Sequence, residues 1–161
     1  MPHASHRLDL LALPSDLNSA PDESAFAALS LRWGLDARGK SGDSAALVEG
    51  GCRRVWFDRP GRLMLYANQT GGFRARCPAN SAIVSSEFGR AHRAWKAGGP
   101  RTMACVCGAE HALEHVVLQP AGAFAQWAVV FSSAEGLGLT ERAMGDLVEL
   151  FGPIRTIVRR P

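Results

Sequence analysis

The order of elements at the two ends of the chain constrains its fold more than any other feature. Residues 8–13 read as an apolar strand stopped by Pro14, and residues 21–33 as a helix. Pro21-Asp22-Glu23 puts a proline and two acids in the first turn, where free N–H groups and the dipole favour them, and Gly34 follows the last. Phe26, Leu29 and Trp33 recur at three- and four-residue spacing, so one face of this helix is buried. Residues 53–58 supply the next strand. At the other end, residues 124–132 read as a strand. Thr140 caps a helix containing Ala143, Leu147 and Leu150, Gly152-Pro153 ends it, and residues 154–158 form the last strand. Strand–helix–strand at both ends suits a split β-α-β sheet with the middle of the chain inserted.

Within that middle, Arg59-Pro60-Gly61-Arg62 separates residues 53–58 from residues 63–66. Proline presets φ and glycine accepts a positive φ, so a type II turn and a β-hairpin are predicted here. A further strand over residues 72–76, a helix over residues 86–96 closed by Gly98-Gly99-Pro100, and strands over 101–105 and 114–119 follow. The expected fold is α+β: a single domain over residues 1–161, mainly an antiparallel sheet, with an inserted arm over about residues 72–119.

Four cysteines in 161 residues are too few for a disulfide scaffold, and no apolar run approaches the roughly 20 residues of a membrane helix. A soluble, cytoplasmic protein is expected, with no membrane partner. The cysteines cluster in two segments, Arg76-Cys77-Pro78-Ala79-Asn80-Ser81 and Ala104-Cys105-Val106-Cys107-Gly108. These resemble the two Cys-Pro-x-Cys-Gly knuckles of zinc ribbons, in which thiolates converge on a tight turn whose N–H groups face the sulfurs. Matched position by position, the resemblance carries over only Cys77 and Cys107, because Asn80 and Ala104 stand at the other two ligand positions. The arm therefore has two outcomes. Cys105 and His111 complete a Cys77, Cys105, Cys107 and His111 zinc site, or the arm holds no metal and keeps its turns through Pro78, Gly108 and packing.

The neighbouring His111-Ala-Leu-Glu114-His115 spells H-x-x-E-H, which binds catalytic zinc only on a helix. Here a strand is expected, which would hold the two histidines about 13 Å apart. A Cys105/Cys107 redox pair would lack the helix N-terminus that lowers a thiol pKa.

Charge adds a second theme. The net charge of +3 divides into +8 over residues 38–101, −3 before them and −2 after them. A basic middle attracts phosphate- or carboxylate-bearing partners. Arg53, Arg54, Arg74 and Arg76 interleave with Trp56 and Tyr66, the mixture of cations and stacking rings that single-stranded nucleic acid requires. Alternatively, the two rings cover the sheet and the arginines lie over them. P-loop, dinucleotide-binding and nucleophile-elbow motifs are all absent. The expected function is a non-catalytic binding module for an anionic partner, nucleic acid or an acidic protein. The alternative is a small zinc- or thiol-dependent enzyme using Cys77, Cys105, Cys107 and His111.

Overall fold

The two strand–helix–strand ends fold onto each other as one four-stranded antiparallel sheet. The computed structural model describes residues 7–161. In chain order its elements are β1 (Asp9–Pro14), α1 (Glu23–Arg32), β2 (Arg54–Asp58), β3 (Met64–Tyr66), β4 (Arg74–Arg76), α2 (Ser85–Lys96), β5 (Thr102–Ala104), β6 (Glu110–Ala112), β7 (Val117–Gln119), β8 (Ala123–Ala125), β9 (Ala128–Ser132), α3 (Glu141–Phe151) and β10 (Ile154–Arg159). Single 3-10 turns lie at Ser44–Ala46 and Leu113–His115. The main sheet has the order β10-β1-β9-β2, the split β-α-β arrangement of an α+β fold.

Local chemistry starts the outer helices: Thr140 caps α3 as expected, whereas Asp22, expected in the first turn of its helix, is instead the N-cap of α1. The side chains of Asp22 and Thr140 accept hydrogen bonds from the amides of Ala25 (3.1 Å) and Ala143 (3.2 Å). Strand β1 is buried throughout because both of its faces are covered. Leu10 and Ala12 meet the helices, in a core with Phe26, Leu29, Trp33, Trp127, Phe131 and Leu147. Leu11 and Leu13 face the other way, toward Tyr66, Ala125, Val130 and Ile157.

That second face is covered by the excursion between β2 and β9, residues 59–127. Its strands pair concentrically as β3–β8, β4–β7 and β5–β6, all antiparallel, with α2 crossing between β4 and β5. Ala75, Val84, Phe88, Met103, Leu113 and Phe124 give the excursion its own core. The segment over residues 72–119 is thus the inner part of a longer loop-out.

The hairpin expected at residues 53–66 does not form. Strand β2 pairs with β9 (Val55 opposite Phe131) and β3 with β8 (Leu65 opposite Phe124). Gly61 does take φ +74°, but a type II geometry splays its flanking strands rather than twisting them together. Here it hands the chain from one sheet to another. The run 124–132 breaks for the same reason, β8 belonging to the excursion and β9 to the main sheet. His111 lies on β6, whereas Glu114 and His115 sit in the 3-10 turn rather than on a strand. Glu114 accepts two hydrogen bonds from Arg101 (3.0 and 3.3 Å), so it serves no zinc-protease geometry.

The outer edge of β2 is closed by a loop. Val55 N–H donates to Gly39 O at 2.7 Å, Gly39 has φ +74°, and a Cβ there would collide with Val55 O. Gly39→Ala should therefore cost about 1–3 kcal/mol, read as a lower urea midpoint with an unchanged m value. Among the described residues, no helix is long and apolar enough to cross a membrane.

Candidate functional site

Cys77 follows β4 directly, where the chain reverses. Cys77 N–H donates to Ala82 O (2.8 Å), Ser81 N–H donates to Cys77 O (2.9 Å), and Ser81 takes φ 63°. Asn80 Oδ1 accepts from Ala82 N–H at 3.0 Å, so the residue standing at a ribbon's second thiol position closes the turn instead. Ala79 N–H points at Cys77 Sγ, 3.4 Å away. Burial pushes the Cys77 thiol up, but the amides of Asn80 and Ala79 and the thiols of Cys105 and Cys107 outweigh it and bring the pKa to about 6.

The second turn joins β5 to β6. Gly108 N–H donates to Cys105 O and Cys105 N–H to Ala109 O, both at 3.0 Å, with Gly108 at φ 88°. Glycine is needed there because the turn requires a left-handed residue. The Cys107 amide draws the Cys105 pKa down, yet burial and the adjacent Cys77 and Cys107 sulfurs raise it on balance. His111, opposite Met103 on the hairpin, turns its ring toward both turns. Its Nε2 lies 3.2 Å from Cys107 Sγ and 3.6 Å from Cys77 Sγ.

Packing brings the two turns together. Val84 and Phe88, at the start of α2, share one buried cluster with Cys77 and Met103, and Cys105 and Cys107 lie against it. The ligand atoms of Cys77, Cys105, Cys107 and His111 all lie within 4.8 Å of one another, and no carboxylate belongs to the group. Zinc–sulfur and zinc–nitrogen bonds of about 2.3 and 2.0 Å place tetrahedral S···N edges near about 3.5 Å. The two sulfur–imidazole distances fall on either side of that value. Three thiols and one imidazole are also a donor set that favours zinc over hard cations. The residues fit the ion.

No family model, no curated protein and no solved structure matches the chain. Its own geometry is what bears on function.

The basic residues separate into two groups. Arg54 and Trp56 alternate along β2 on one face, and Trp56 is 40% exposed. With Arg7, Arg53, Ser132, Ser133 and the buried Asp9, which pairs with Arg159, they line a depression of about 300 Å³. Arg7 escaped the sequence reading because nothing in its own segment marks it, and only sheet pairing carries it beside β2. Arg74 is exposed on β4, in the excursion. Arg76 is engaged locally, donating to Gln119 Oε1 (2.7 Å) and Ser81 O (3.1 Å). Tyr66 does not present a stacking ring. It is 2% exposed, and its hydroxyl donates to Asp58 Oδ2 at 2.7 Å. Burial, then Asp58, push its pKa well up, so it stays a neutral donor. Of the two rings, Tyr66 covers the sheet and Trp56 remains at the surface.

Proposed function

We propose that this protein is a non-catalytic binding module in which a structural zinc ion pins the excursion and β2 engages an anionic partner. The observation that carries the reading is that four protein donors lie within 4.8 Å of one another, with His111 Nε2 3.2 and 3.6 Å from two of the sulfurs. A catalytic zinc keeps one position open for water or substrate, whereas a complete Cys3His set closes the shell. Bound there, zinc would supply no reaction; it would tie the turn at residues 77–82 to the β5–β6 hairpin. Burial of Cys77 likewise disfavours the thiol-enzyme alternative, since the thiol with the lowered pKa is 1% exposed.

The partner reading rests on Arg53, Arg54 and Trp56 around one depression that Arg7 also lines. None of these arginines forms an ion pair among the described residues. A guanidinium neutralises phosphate and an indole stacks on any base, so single-stranded nucleic acid suits the surface best. Anisotropy of a labelled oligo(dT) 12-mer tests this. Binding should weaken with salt at a log–log slope of about 2, as three cations predict. Arg54→Glu with Trp56→Ala should reduce affinity at least about tenfold. Salt-independent binding, or an unaffected double variant, would contradict the reading, and preference for an acidic peptide would reassign the partner.

A further inference from the structure

A cleft on the excursion, formed by β3 and α2, is built from different chemistry than the β2 face. Leu63, Met64 and Leu65 form one wall, each only half-buried. Opposite them stands Trp95, whose ring meets Phe124 edge-on at 5.5 Å, and Phe124 is the cross-strand partner of Leu65. The wall and the tryptophan are therefore parts of one packed unit, and the cleft between them is preformed. His92 completes it, stacked on Phe88 at 6.0 Å and tilted against Trp95 at 5.7 Å. Burial, with Lys96 and Arg93, holds that imidazole below its ordinary pKa, which keeps it uncharged near neutrality.

The charged residues at this cleft all carry one sign. Arg62 and Lys96 line it, no acid does, and neither forms an ion pair among the described residues. An apolar floor left half open to water, beneath two unpaired cations, is complementary to a molecule with a greasy body and an anionic head. The cavity holds about 240 Å³, below the roughly 300–1,000 Å³ of drug-sized sites, so its ligand is compact. The cleft's three aliphatic side chains, which the β2 depression lacks, favour an apolar ligand body over a strand of nucleic acid.

We propose that the cleft between β3 and α2 binds a small carboxylate with an apolar body, the ring or chain lying between Leu63, Leu65 and Trp95 and the carboxylate between Arg62 and Lys96.

Calorimetric titration of the full chain with 2-naphthoate, and separately with octanoate, tests the proposal. The neutral alcohols 2-naphthalenemethanol and octanol serve as controls. At least one carboxylate should bind at least about tenfold more tightly than its alcohol, with the Trp95 indole N–H resonance shifting on saturation. Arg62→Glu with Lys96→Glu, both at exposed positions, should weaken binding at least about tenfold, while Arg54→Glu leaves it unchanged. Equal affinity for acid and alcohol, equal loss in Arg54→Glu, or no binding up to millimolar ligand would each overturn it.

Discussion

Replacing Cys107 by serine should abolish stoichiometric zinc binding and lower the thermal midpoint by on the order of 10 °C, as should chelation of the unaltered protein. The size follows from where the ion would act. Cys77 and Cys107 come from turns 30 positions apart in sequence, and the excursion that holds them is made of three-residue strand pairs. Pairs that short are marginal alone, so a crosslink among them is worth several kcal/mol. The loss should also be local. Amide exchange should accelerate at Met103, Leu113 and Val116 while Leu11 and Val130 in the main sheet keep their protection. Unchanged stability and uniform protection in Cys107→Ser would remove the ion from the account of the fold. Asn80→Ser serves as the contrast: it alters a turn residue that is not a donor, and should leave zinc content intact.

Trp127→Ala should be the most damaging substitution in the helix-covered core, costing about 3–5 kcal/mol. Trp127 is fully buried where the chain returns from the excursion. Its ring meets Phe26 edge-on at 5.3 Å and Phe151 at 4.6 Å, so it joins α1 to α3 beneath the sheet. Its indole N–H reaches Ser19 Oγ at 3.3 Å. Alanine would leave a cavity among three elements and strand that serine. Trp56→Ala, at the surface, should change stability by less than about 0.5 kcal/mol. Urea unfolding of both variants checks the contrast, and a cost below about 1 kcal/mol for Trp127→Ala would refute the assigned packing.

Much of the architecture was legible because its signals are local. Asp22 and Thr140 announce their helices through capping chemistry, and the apolar run at residues 8–13 fits a central strand covered on both faces. The knuckle resemblance carried only Cys77 and Cys107, with Pro78 and Gly108 marking the turns, and Cys105 and His111 entered as the donors that would complete the set. What failed was partner choice. Pro60-Gly61 does contain a positive-φ glycine, yet nothing within residues 53–66 tells β2 to prefer β9, some seventy residues on, over β3 beside it. That preference comes from burying Val55 with Phe131 and Trp127 in the helix-covered core. The burial of Tyr66 has the same root: once β3 crosses the second face of the sheet, its ring is enclosed and its hydroxyl donates to Asp58. Arg7 and the β3–α2 cleft were invisible for a related reason, being assembled from segments that carry no motif of their own.

The most direct test is native mass spectrometry of the chain purified without added metal, followed by zinc-edge X-ray absorption on the same sample. One zinc per chain, with about three sulfurs near 2.3 Å and one nitrogen near 2.0 Å, is the predicted result. A folded protein that carries no metal and ignores chelators, or one whose zinc is held by oxygen, would contradict the account.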